Sequence, residues 1–349
     1  MTIASAGPAR IAGAAFVGLA LAAAVAGGGW SFAAGRANAA ISSWIAQEAA
    51  AGRVWSCPDR RTQGFPTRLE IVCPKLGFEG AVLDRPFAGS VGGFTAHASL
   101  WRPQTVEAQL AAPFSAATPE GDHFTLDWRR LDLVLDGAAQ GFRAVAVSGE
   151  GFSLSGADAS GAPLDFSAAS AQASLRPGPG APGEAPPSYE FEATVAGAGA
   201  PTLAALLALK APVDANVSGA IVGLDLAKGG SLLERLERWR LAGGRVDFSQ
   251  VRIVSGEALL EAKGGFDLDE ARRPRGEFDA RLSGLEATLR QFGVSPALIA
   301  GGSLLTSFLT GSPGREDRTK TIRLPVRLAD GVVSVGPLRL PSLRLPSLY

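Results

Sequence analysis

Apolar residues recur at every second position over long stretches of this chain, and that period suits an extended strand with one buried face. Phe124, Leu126 and Trp128 share a face; the phase then slips at Arg129-Arg130, and Leu131, Leu133 and Leu135 continue it. A one-residue slip between two apolar halves predicts a β-bulge within one long strand. Phe94, Ala96, Ala98 and Leu100 alternate likewise, until Trp101-Arg102-Pro103 breaks the ladder. Phe142 to Val147 is strand-like but apolar on both faces after Arg143.

Two hairpins can be placed by residue. Ile322, Leu324, Val326 and Leu328 alternate with Arg323, Pro325 and Arg327, and Asp330-Gly331 supplies a type I′ turn. Closing on that turn sets Leu328 opposite Val333 and Val326 opposite Val335. Pro325 and Pro337, lacking an N–H, favour a position near a sheet edge. A second hairpin is expected where Gly264–Leu268 and Gly276–Leu282 flank a charged loop.

Helical spacing is confined to a few places. Asn38 to Ala51 carries Ile41, Trp44, Ile45 and Glu48 on one face, with Gly52 as the stop. Ser231 to Ala242 opens on a capping box, Ser231 with Glu234, presents Leu232, Leu236 and Trp239, and ends at Gly243. Leu285–Phe292 with Pro296–Leu309 forms a third, broken apolar region, and Thr202–Lys210 a short fourth.

One segment is unlike all others. Ile11 to Gly29 contains no charged residue, follows Arg10, and is followed by Trp30 and Arg36. As a helix it reaches roughly 28 Å, close to the hydrocarbon thickness of a bilayer, with Trp30 where an interfacial aromatic is expected. It reads as a single retained transmembrane anchor. A cleaved signal peptide is the open rival, because Ala37-Asn38-Ala39 has the small-x-small form of a cleavage site.

The only two cysteines, Cys57 and Cys73, follow soon after, in strand-like surroundings and each directly before a proline. Two cysteines are too few for a structural zinc site, and no Cys-x-x-Cys is present. A disulfide in an exported domain is the expectation. With the anchor, that expectation puts the bulk of the chain on the exported side of a membrane crossed once.

The fold class that follows is mainly β with a few helices, a β-rich α+β chain. Long antiparallel, curved sheets carry amphipathic helices on their apolar face, preceded by one N-terminal transmembrane helix. The segment Arg176 to Pro187, dense in Pro and Gly, reads as a linker. The expected division is an anchor with its flanks at 1–37, a first β-rich unit at 38–175, a linker at 176–188 and a second β-rich unit at 189–349.

Chemistry is hard to find. Basic and acidic residues are equal at 33 each, which argues against nucleic acid as a partner. His97 and His123 lack ligand spacing, so no metal site is expected. Gly151 to Gly156 only approaches a nucleophile elbow and lies in a strand-like run. No catalytic residue, cofactor-binding residue or cofactor is assigned, and the chain is not expected to be an enzyme.

Gly52-Arg53 ahead of Cys57-Pro58, then Gly64-Phe65-Pro66 with Arg68, Cys73, Trp101-Arg102-Pro103 and Trp128 resemble domain-of-unknown-function family 2125. That resemblance implies a membrane-anchored protein of the Gram-negative envelope and transfers no activity. A looser likeness is to AsmA-like envelope proteins, carried by the anchor, the long strands and Leu328-Ala329-Asp330-Gly331-Val332-Val333. It implies a grooved sheet that shields lipid chains. The function expected is lipid binding or handling in the envelope. The alternative is a structural or assembly factor that binds another envelope protein through a sheet edge.

Overall fold

The computed structural model describes residues 8–82, 85–137, 143–178, 187–201, 212–225, 231–284, 322–336 and 338–349. Side chains before residue 26, and those of 82, 85, 322, 338 and 340–343, lie outside the description. The expected helices at Thr202–Lys210 and Leu285–Leu309 also lie outside the described residues.

Helix α1 runs unbroken from Pro8 to Ala50. At about 1.5 Å per residue it is roughly 65 Å long. The helix expected from Asn38 is therefore the distal part of one rod, which passes through Ala37-Asn38-Ala39 without a break. No proline interrupts the rod after Pro8, and isolated or clustered glycines weaken a helix without ending it. Among the described residues no helix is long and apolar enough to cross a membrane. The side chains of most of the Ile11–Gly29 run are not among them.

Past Trp30 the sheltered positions of α1 recur at helical spacing: Ala34, Asn38, Ile41, Ile45 and Glu48. Asn38 and Thr62 exchange hydrogen bonds at 2.9 and 3.1 Å. Gly52 takes a left-handed φ of 77°, and Arg53 N–H donates to the Glu48 carbonyl at 2.9 Å. This is the six-to-one bond of a glycine C-cap, and it reverses the chain into the sheet.

Among the described residues, all strands belong to one 18-stranded sheet. Short β1 (Val54–Ser56) and β2 (Arg61–Gln63) precede β3 (Arg68–Cys73) and β4 (Leu76–Val82). The long β5 (Arg85–Ser99) pairs with β4 along its first half and β3 along its second. The same device recurs next door. β6 (Arg102–Ala117) and β9 (Ala144–Ala157) enclose a broken strand made of β7 (His123–Asp127) and β8 (Arg130–Asp136). From Phe114↔Leu126 to Gln109↔Asp132, β6 advances five positions and its partner six. That extra residue is the slip at Arg129-Arg130. Trp128 is buried there, and its Nε1–H donates to the Leu110 carbonyl at 2.8 Å.

From β9 the sheet is a plain antiparallel meander. It passes through β10 (Pro163–Pro177), β11 (Ser188–Ala198) and β12 (Val213–Val222). It continues through β13 (Arg245–Ser255), β14 (Ala258–Leu268), β15 (Pro274–Ser283), β16 (Ile322–Ala329), β17 (Val332–Val335) and β18 (Leu338–Arg344). The Pro/Gly segment that reads as a linker joins β10 to β11, which pair from Ser170↔Ala196 to Pro177↔Tyr189. It is a hairpin connection inside one sheet, and the strands on its two sides form a single ladder. Repeated prolines stop the strands without parting them.

Both hairpins placed from sequence are present. Leu328 pairs with Val333 and Val326 with Val335, across a turn where Asp330 and Gly331 have φ of 53° and 74°. Gly264 faces Phe278 and Phe266 faces Gly276. Pro325 faces Asp279 of β15, and its carbonyl accepts from Gly336 N–H at 2.8 Å just past the last β17 pair, so it lies in an inner strand at the end of a ladder and not at the expected sheet edge.

Helix α2 (Leu232–Leu241) connects β12 to β13. Its capping box is complete: Glu234 N–H donates to Ser231 Oγ at 3.2 Å, and Ser231 N–H to Glu234 Oε2 at 2.8 Å. Trp239 is buried, with its indole donating to the Val222 carbonyl at 2.8 Å.

Candidate functional site: an apolar groove between the sheet and α2

Cross-strand partners share a face, so the register defines two surfaces. One carries charge: Arg252 pairs with Glu261, and Arg275 holds Asp267 through two bonds of 2.8 Å. The other is apolar from end to end. On it Phe94 opposes Leu110, Ala108 opposes Leu133, and Leu133 opposes Val147. Farther along, Phe191, Phe248, Phe266 and Phe278 continue it, with ring centroids 5.7–6.0 Å apart around Phe248.

The apolar face is deepest in aromatics near the end of α1. Trp44, Trp55, Phe78 and Phe87 follow one another at centroid distances of 5.5, 4.7 and 6.0 Å. Phe114 and Phe124 extend the row at 5.9 Å from each other. Offset and edge contacts of this kind add roughly 0.5–1.5 kcal/mol each beyond area. Sheet pairing puts these residues in line, because Phe78 opposes Gly89 and Val91 opposes Phe114. Gly89 opposite Phe78 and Gly80 opposite Phe87 leave those two rings room to lie along the sheet.

Over this row lies the start of α2, although it comes more than a hundred residues later in the chain. Ser231, Leu232, Leu233 and Arg235 form one wall of a groove of about 830 Å³. Phe78, Phe94, Leu110, Phe114, Trp128 and Leu133 form its floor. The volume falls in the range of small-molecule and lipid sites, about 300–1,000 Å³. The sheet must curl to bring a helix from its second half onto the face of its first.

A charged pair is among the groups that line the groove. Arg53 holds Glu48 by two bonds of 2.6 and 2.7 Å, and Trp55 Nε1 reaches the same carboxylate at 3.4 Å. The Arg53 hydrogen bond holds the Glu48 carboxyl below the usual carboxylate range, and Arg53 is raised in turn by Glu48. The groove thus combines a mainly apolar lining with the Glu48–Arg53 pair and the Arg235 side chain. It can hold an extended apolar molecule and meet a polar group at those charges.

Cys57 and Cys73 form the expected disulfide, with Cα atoms 5.7 Å apart. It ties the loop after β1 to the end of β3. A closed loop of this size contributes about 3 kcal/mol in the chain-entropy account. The two histidines are not brought together. His97 Nε2 lies 3.4 Å from Glu107 on the neighbouring strand, and His123 Nδ1 lies 3.3 Å from the Gly121 carbonyl. Gly151 to Gly156 lies within β9 rather than at a strand-to-helix turn. Among the described residues no three His, Cys, Asp or Glu side chains gather as metal ligands would.

Sequence reasoning missed the groove residues as a set. Their signal is the run of aromatics on neighbouring strands, which becomes a site only once the register is known.

No curated protein and no solved structure matches the chain, so the likeness to AsmA-like proteins has no support from known folds. A family model described as an uncharacterized protein conserved in bacteria (DUF2125) matches residues 30–344, from Trp30 in α1 through β18. Covering nearly all of the 349 residues, that match means that the chain belongs to the DUF2125 family.

Proposed function

We propose that this protein is a membrane-anchored, periplasmic binding module whose groove holds the acyl chains of an envelope lipid. The observation that carries the reading is the groove of about 830 Å³, floored by aromatic and aliphatic residues and lined also by the paired Glu48 and Arg53. Apolar surface of this extent on a β-sheet favours an apolar occupant, at about 25 cal/mol per Å² removed from water. The envelope address draws on the uncharged Ile11–Gly29 run within α1 and on the disulfide, which persists in oxidising compartments. The groove's chemistry is that of binding, and no catalytic role is proposed for its residues.

Solvent extraction and mass spectrometry of purified protein should recover phospholipid in stoichiometric amount. Phe114→Glu places a carboxylate in the groove floor and should lower bound lipid at least about tenfold, since burying an unpaired charge costs more than ~1.4 kcal/mol. Lipid-free wild-type protein recovered with a protein partner would favour the assembly-factor reading instead. A reporter active only outside the cytoplasm, fused after Tyr349, tests the address; an inactive reporter on a well-expressed fusion overturns it.

A further inference from the structure

One end of the β-sheet and the adjoining part of α1 carry exposed aromatics, at the level where the helix's uncharged run ends. Trp101 is 81% exposed, Phe32 71% and Phe65 56%. Large rings left this open on a folded surface mark a contact surface. Trp30 closes the Ile11–Gly29 run, and its ring meets Phe65 edge-on at 5.9 Å. Its indole N–H donates to the Arg68 carbonyl at 2.9 Å, fastening the helix to the turn between β2 and β3. Trp101 sits in the next turn along that sheet end, because Arg68 pairs with Ser99 and the Leu100 N–H donates to the Thr67 carbonyl at 3.1 Å. Three separate chain segments therefore bring aromatics to one end of the sheet, and it is the end from which the uncharged helix departs.

We propose that this end of the domain, through Trp30, Phe32, Phe65 and Trp101, sits in the interfacial layer of a lipid bilayer. Trp is the side chain that concentrates at that depth, with an apolar body and one N–H. The charges around the cluster suit anionic headgroups. Arg36 and Arg102 are exposed, and Arg68 extends from the same turn. The acidic group facing them is Glu70, which is taken up by Arg68 at 2.9 Å and by Gln63 at 2.6 Å.

The seat also gives the groove an orientation. From Trp101, β5 and β6 run directly to the groove floor. Ala98 and Ala96 share a face with Phe94, and Val106 and Ala108 with Leu110. An apolar strip thus joins the bilayer-facing turn to the groove, while the Glu48–Arg53 pair lies about 27 Å farther along α1, at ~1.5 Å per residue from Trp30. The inference rests on the anchor part of the reading above and is independent of whether the groove holds lipid.

The test uses the full chain reconstituted into vesicles of phosphatidylcholine and phosphatidylglycerol. Since Cys57 and Cys73 are bonded to each other, one added cysteine takes a nitroxide label selectively. Trp101→Cys and, as a reference from the opposite sheet end, Glu120→Cys are compared by collision with oxygen and with a water-soluble nickel chelate. The label at position 101 should show a several-fold higher oxygen-to-nickel ratio than the label at position 120. Protein that floats with the vesicles but gives equal ratios at the two positions overturns the seat and leaves the anchor standing. Protein that fails to float overturns both.

Discussion

At Glu237, a neighbour on α2 and two groups from distant parts of the chain converge on one carboxylate. Arg240 binds it at 2.7 Å from the next turn of α2, the Tyr349 hydroxyl donates to it at 2.8 Å, and Arg272 lies 3.4 Å away. The Arg272 guanidinium also covers the Tyr349 ring at 5.0 Å. Arg240, first, and then the Tyr349 hydroxyl hold the carboxyl at about 2, below its ordinary 4.5. A carboxylate depressed in the folded state stabilises fully above its unfolded value, and that contribution is lost as pH falls. The tail contact should therefore weaken from pH 4.5 downward and be gone below about 2. The chain has two tyrosines, so ring-labelled NMR can follow Tyr349 directly. Its resonance should shift across that window, and Glu237→Gln should flatten the shift. A wild-type signal that stays constant from pH 5 to 2 would show that Tyr349 does not report on this carboxylate.

At the scale of the element, the broken strand β7–β8 depends on Trp128. The extra residue against β6 interrupts the ladder, and the Trp128 indole bonds the Leu110 carbonyl at that point. Trp128→Phe keeps most of the bulk and removes the donor. Leaving a sheltered carbonyl unpaired should cost about 1–3 kcal/mol, whereas Trp128→Ala adds a cavity and should cost about 3–5 kcal/mol. Denaturant unfolding measures both, and a Phe variant as stable as wild type would sink the ladder role. This slip was legible in the sequence because Phe124–Trp128 and Leu131–Leu135 are apolar in opposite phase. The Asp330-Gly331 hairpin and the Ser231 cap were legible for a similar reason: a turn dipeptide or a cap with its box is decided by residues within a few positions. The helix from Asn38 was visible in its face but not in its extent. Nothing local distinguishes two helices end to end from one continuous rod when no proline parts them.

At the scale of the molecule, what sequence could not supply was which strands are neighbours. Alternation fixes a face for each strand, yet Phe78, Phe114 and Leu133 become one groove floor only through three pairings across β4 to β8. The Pro/Gly segment after Arg176 illustrates the same gap, since the composition of a linker and that of a long hairpin connection are alike. In the folded chain that segment separates nothing. β10 and β11 pair through eight residues on either side of it, and α2 from beyond it covers the face of β4 to β8 from before it. Each half alone would expose a long strand edge and one side of the groove, which is a template for aggregation. A protease site placed between residues 179 and 186 should therefore be cut without separating the halves. The nicked protein should elute as one species of unchanged size and unfold in a single transition, while residues 26–178 expressed alone should aggregate. Two fragments that part on size exclusion and unfold independently would mean that the β10–β11 ladder and the α2 contact are too weak to make the sheet one cooperative unit.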